Sequence, residues 1–179
     1  GVEIDSKIAT LMISAIISDT LLLKSPTCTK YDIEAFNELE KIAGFDAREY
    51  GMNMLKAGTD LSTYSSTEIV NLDAKEFTEK GKKFVVAQVN TADIDDVFSR
   101  KEELAFAMEK EINDKGLELF LFVITDIVNT NSKIIAMGNL KGVVEKAFNK
   151  KLDSDDSMFL EGVMSRKKQI APPLLANLD

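Results

Sequence analysis

The chain has 179 residues, 45% of them hydrophobic and 29% charged, with a formal net charge of −8. That balance suits one or two packed domains and argues against general nucleic-acid binding, which relies on an extended basic face. There are no histidines and only one cysteine. The chain alone therefore has no imidazole base, no Ser-His-Asp triad, no His- or Cys-rich metal cage and no internal disulfide. Its longest apolar run, residues 117–125 (LELFLFVIT), has strand length and falls short of the ~20 residues a membrane-spanning helix needs. No basic segment opens the chain, so no secretory signal is expected, and the lone Cys28 fits a reducing, cytoplasmic compartment.

Asp5 or Ser6 is placed to cap a first helix. In it Ile8, Leu11, Met12, Ala15 and Ile16 recur at helical spacing and predict one inward apolar face. The helix is expected to run past Ser18-Asp19-Thr20, through Leu21 to Leu23, and to break near Ser25-Pro26. A helix so apolar at this point is expected to pack on something, a hint of sequence upstream. Thr29 caps a second helix, with Ile33, Phe36, Leu39 and Ile42 inward and Gly44 as its stop. Asp46 and Glu49, at capping-box spacing, start a third that ends near Lys56. Ala57-Gly58-Thr59 then reads as a linker or hinge.

Beyond the hinge the period changes. Ser66 caps a short helix to Val70, and residues 73–77 and 82–90 predict strands that turn at Glu79-Lys80-Gly81. Ser99 and Glu102 have capping-box spacing before a helix carrying Leu104, Ala107, Met108 and Ile112, closed by Gly116. Strands follow at 117–125 and 133–138, then a helix near 140–149 and a short strand at 158–160. The expected fold is α/β (α+β): a helical segment over 1–57, then a mixed, roughly five-stranded sheet flanked by helices over 58–179.

Near the C-terminus, Ser165-Arg166-Lys167-Lys168-Gln169 sets three consecutive cations in an acidic chain, between Gly162, which permits unusual backbone angles, and Pro172-Pro173, which are expected to stop a helix. Arg offers a planar fork and Lys a compact charge, a good pair for phosphate. Ser165 is placed to cap a short helix whose N–H groups would face the same anion. The plain alternative is a solvated basic segment. Lys75, in Leu72-Asp73-Ala74-Lys75-Glu76-Phe77, reads as an ordinary strand lysine. Asp19 is flanked by Ile16, Ile17, Leu21 and Leu22. A carboxylate so placed is paired, caps a helix, or ligates a metal, and alone it cannot hold one. The acidic runs at Asp93, Asp95, Asp96 and at Asp153, Asp155, Asp156 lack the glycine and terminal glutamate of an EF-hand loop, and read as solvated loops and helix starts.

Five segments together are more specific. Residues 11–29 (LMISAIISDTLLLKSPTCT), 54–59 (MLKAGT), 73–77 (DAKEF), 87–91 (AQVNT) and 165–169 (SRKKQ) resemble, in this order, the family II, manganese-dependent inorganic pyrophosphatases of the DHH phosphoesterase superfamily. The resemblance covers only the C-terminal portion of such an enzyme, including the DHH-associated C-terminal domain. The family's His-x-Asn-x-Asp-x-Asp and Asp-His-His motifs are not in this sequence. It implies that residues 1–57 end a metal-binding catalytic domain and that 58–179 form the substrate-closing domain. By the same resemblance, Asp19 matches a metal-site aspartate, and Lys75, Arg166 and Lys167 match the cations that grip the phosphates. Lys168 and Gln169 share the last motif, with Lys168 counted among the substrate-binding candidates.

The implied reaction is hydrolysis of pyrophosphate to two phosphates, with manganese or cobalt and with magnesium as a further activator. The implied partners are pyrophosphate or phosphate, an upstream catalytic domain and, for the full-length protein, a second copy in a homodimer; no nucleic acid and no membrane are expected. Two alternatives stay open: an exopolyphosphatase of the same superfamily, and a non-catalytic anion-binding module. Two metals would lower the pKa of a bridging water, while cations neutralise the transferring phosphoryl. Lacking the water-activating half, the chain alone is expected to release no phosphate from pyrophosphate with manganese; robust turnover in that assay would refute this division of labour.

Overall fold

The computed structural model describes residues 3–178. The chain divides into two units, one ending at Asp60 and the other beginning at Leu61.

The first unit is three helices: α1 (Ser6–Thr20), α2 (Lys30–Ala43) and α3 (Ala47–Ala57). Asp5 caps α1, Thr29 caps α2 in a reciprocal capping box with Asp32, and Asp46 accepts from the first amides of α3. The small core joins Ala9, Ile13, Ile17, Leu22, Phe36, Leu39 and Ala47. This corrects the expected face of α1. Its inward stripe is Ala9, Ile13, Ile17 and Thr20, whereas Ile8, Leu11 and Met12 are exposed. The two stripes share the same period and differ by one residue in phase, so spacing could not choose between them. On α2, Phe36 and Leu39 are buried but Ile33 and Ile42 are exposed.

A second correction concerns the end of α1. The helix stops at Thr20, and Leu21, Leu22 and Leu23 all take left-handed φ values of 47°, 55° and 63°. The turn is tied down by Leu22 N–H to Ile17 O (3.0 Å), Ser25 N–H to Thr20 O (2.8 Å) and Leu23 N–H to the Thr20 hydroxyl (3.0 Å).

The second unit contains α4 (Ser66–Asn71), β1 (Ala74–Glu79), β2 (Lys82–Thr91), α5 (Ile94–Ser99), α6 (Lys101–Lys115), β3 (Leu119–Asp126), β4 (Asn131–Met137), α7 (Lys141–Phe148) and β5 (Ser157–Leu160). A π-helical turn (Arg166–Ile170) leads into α8 (Ala171–Ala176). The five strands lie in sequence order, β2–β3 pairing parallel and the other neighbours antiparallel. This is the expected mixed, helix-flanked sheet. A parallel pair needs a long crossover, and α5 and α6 supply it.

All eight residues of β3 are buried. On one face Val85, Ala87, Phe120, Phe122 and Ile124 meet α4 and α6 through Ile69, Val70, Leu104 and Met108. On the other, Phe84, Val86, Leu119, Leu121 and Val123 meet Val144, Ile170, Leu174 and Leu178.

Three local expectations shift. Ser65, rather than Ser66, caps α4, in a capping box with Glu68. The spacing of Ser99 and Glu102 forms no capping box: α5 ends at Ser99, whose hydroxyl donates to Asp96 O (2.6 Å). Pro172 and Pro173 open a helix instead of stopping one, because Pro in a first turn gives up an amide that has no intrahelical partner.

Gly138 has φ +109°, and a Cβ there would come within 2.5 Å of the Glu118 carbonyl oxygen. Both objections are to backbone, which cannot rotate away. Gly138→Ala is expected to cost at least about 2 kcal/mol, read as a lower denaturation midpoint.

Candidate anion-binding site

Lys75 reaches the site through strand alternation. In the β1–β2 register it sits opposite Val86, and Phe77 opposite Phe84. Phe77 and Phe84 stack with centroids 5.1 Å apart, and the Lys75 ammonium lies 5.6 Å from the Phe77 ring. Lys75 thus belongs to the sheet face that also carries Val86 and Phe84, the face covered by the π-turn and α8.

The π-turn is positioned by a polar network at its start. The Gln169 carboxamide oxygen accepts from Met164 N–H and Ser165 N–H (both 3.0 Å), and its nitrogen donates to Gly162 O (2.8 Å). Gln88 on β2 donates to Met164 O (2.8 Å) and to the Thr125 hydroxyl (2.8 Å), and Ser132 on β4 donates to Val163 O (2.7 Å). The Asn131 side chain accepts from Gly162 N–H at 2.9 Å, where φ is +68°. The Ser165 hydroxyl accepts from Lys168 N–H (3.3 Å), so it caps the turn as expected. Gln169 is therefore the fastener of the loop 162–165.

These supports bring Lys75, Phe77, Arg166, Lys167, Ala171, Pro172 and Leu175 around one cleft of about 370 Å³. Three cations from two distant segments share it. Lys168 is exposed and does not line it. Arg166 is partly buried, with 18% of its side chain accessible, and is held on three sides. Nη1 donates to Asp73 O (2.6 Å) and Val86 O (3.2 Å), and Nη2 to the Asp73 carboxylate (2.8 Å). An apolar wall and converging cations suit a small, highly charged anion.

Asp19 lies in the last turn of α1, exposed despite its apolar neighbours in sequence. Its backbone carbonyl accepts from the Thr27 hydroxyl at 3.2 Å. Its carboxylate neither caps a helix nor joins any hydrogen bond or ion pair among the described residues. Among those residues no three His, Cys, Asp or Glu side chains group as a metal site. One carboxylate does not fit manganese, so the described residues by themselves lack the donors for that metal.

The acidic runs are structural. Asp93 caps α5 through the amides of Asp95 and Asp96. Asp155 accepts from the Ser157 hydroxyl (2.6 Å) and pairs with Lys101 (3.2 Å), and these contacts, the hydroxyl first, hold its carboxyl below the usual range.

The supporting residues Gln88, Thr125, Ser132 and Asn131 were not singled out in the sequence. The signal available was a polar side chain interrupting the apolar run Val85-Val86-Ala87-Gln88-Val89, since a half-buried polar group needs a partner.

Known proteins resemble this chain over nearly its whole length. A manganese-dependent inorganic pyrophosphatase from Bacillus subtilis (strain 168) is 55% identical over 174 residues, covering 97% of this chain and 56% of its own length. A protein of Bacillus licheniformis, named a probable manganese-dependent inorganic pyrophosphatase, is also 55% identical with the same coverage. The chain therefore spans about half the length of the curated relatives it matches. A crystal structure from Methanococcus jannaschii, assigned to the family II inorganic pyrophosphatases, superposes with a TM-score of 0.88 at 44% identity, covering 98% of this chain and 57% of that one. The model of the DHHA2 domain matches residues 52–177, a stretch that holds every residue of the cleft. The chain belongs to the DHHA2 domain family.

Proposed function

We propose that this chain is the substrate-closing part of a manganese-dependent inorganic pyrophosphatase, and that the cleft between β1 and the π-turn receives one end of pyrophosphate. The observation that carries this is the convergence of Lys75, Arg166 and Lys167 on one cleft in a chain of net charge −8. Arg166 would bind phosphate oxygens directionally, and Lys75 and Lys167 would add point charge. Such cations neutralise charge that grows on a phosphoryl group during transfer, and Phe77, Pro172 and Leu175 give the cleft an apolar wall beside them.

On this reading residues 1–57 close a metal-binding domain and residues 58–179 bind substrate. Asp19 would give one donor to a manganese centre whose other donors lie outside this sequence; manganese there would activate the attacking water. The relatives' names support manganese as the metal and pyrophosphate as the substrate. No helix among the described residues is long and apolar enough to cross a membrane, and a cytoplasmic site fits the lone free Cys28. A homodimer of the full-length protein rests on the family resemblance.

Calorimetric titration of this chain with pyrophosphate tests the cleft. Arg166→Ala is expected to weaken binding at least about tenfold, since a charge-assisted bidentate contact is lost, and Lys167→Ala by less. The affinity should fall with added salt. Binding that survives Arg166→Ala would place the anion elsewhere.

A further inference from the structure

Arg166 has five N–H donors, and the structure spends them unequally. The edge formed by Nη1 and Nη2 faces Asp73: Nη1 donates to its carbonyl oxygen at 2.6 Å and Nη2 to its carboxylate at 2.8 Å. The remaining Nη1 hydrogen is taken by Val86 O at 3.2 Å. The other edge, made by Nε and the second Nη2 hydrogen, has no protein partner among the described residues. Arg166 is also one of the residues that line the cleft.

Asp73 is well suited to hold the group from behind. It precedes β1, and its carbonyl also accepts from Gln88 N–H at 3.0 Å, so the residue is locked to β2. Its side chain is 61% accessible, so solvent screens its pairing with the partly buried Arg166 guanidinium and gives that ion pair little weight in stability. A guanidinium fixed along one edge, by contrast, loses little entropy when the other edge binds.

We propose that Asp73 is the positioning residue of the anion site. By occupying the Nη1/Nη2 edge of Arg166 it orients the Nε/Nη2 edge toward the cleft, where that edge takes two oxygens of one phosphate. The inference rests on the anion-site reading above. Asp73 does not touch the anion. Its charge opposes anion binding, so its contribution has to come from geometry.

That conflict of sign makes the test decisive. Pyrophosphate is titrated into the wild-type chain, Asp73→Ala, Asp73→Asn, Arg166→Ala and the double variant Asp73→Ala/Arg166→Ala, with thermal melts confirming that each is folded. Positioning predicts that Asp73→Ala weakens binding roughly fivefold to tenfold, on the scale of a lost charge-assisted hydrogen bond. Asp73→Asn keeps an acceptor in place and should restore affinity to within about threefold of wild type. In the Arg166→Ala background, Asp73→Ala should no longer weaken binding. Unchanged or tighter binding by a folded Asp73→Ala overturns the inference, as does an equal loss with and without Arg166. A loss in Asp73→Ala that Asp73→Asn does not recover also overturns it. A wild-type chain that binds no pyrophosphate overturns the anion site itself, and the inference with it.

Discussion

The second unit is organised by a strand with nowhere to face solvent. Every residue of β3, from Leu119 to Asp126, is buried, so both faces of the sheet must be covered. Residues before β3 cover one face through α4 and α6. The other is left to residues after it, and α7, the π-turn and α8 do this with Val144, Ile170 and Leu174. Burying Ile170 completely draws the preceding residues of the basic segment onto the sheet. The cations are then at the edge of the core beside β1, because hydrophobic packing has put their backbone there.

Packing alone would leave the segment's entry undefined. The loop 162–165 has backbone groups that face the sheet, and each one needs a partner. Gln88, Gln169, Asn131 and Ser132 supply those partners at 2.7–3.0 Å. Thr125 and Ser132, both fully buried, share a hydrogen bond of 2.9 Å that completes the network. A satisfied buried network has essentially one arrangement, and so the turn that follows starts from a defined place. A π-helical turn is an uncommon element, frequent at functional sites. Here it begins at Arg166, the residue with the most restricted cation in the cleft.

In the first unit the comparable feature is the left-handed run Leu21–Leu23. Non-glycine residues in this conformation cost roughly 1–2 kcal/mol each. The run persists because Leu21 and Leu22 are buried and the turn's amides are bonded back to Ile17 and Thr20. It follows the end of α1 at Thr20, one residue past Asp19, which lies exposed in the last helical turn.

Alternation and period in the sequence were enough for the three helices of the first unit, the positions of the five strands along the chain and the caps at Thr29 and Asp46, because these depend on neighbours within a few residues. Short motifs in order were enough for the family. What they could not contain is distance between residues far apart in the chain. That Lys75 and Arg166 share a cleft follows from β-register and from Ile170 packing on the sheet. That Lys168 stays outside it follows from the path of the π-turn. The face of α1 was also undecided, since two stripes of equal period compete and only contact with α2 and α3 selects Ala9, Ile13 and Ile17. Sequence by itself determined which charged side chains were present; tertiary structure decided which edge of Arg166 the protein itself occupies, because its hydrogen bonds to Asp73 and Val86 exist only once β1, β2 and the turn have met.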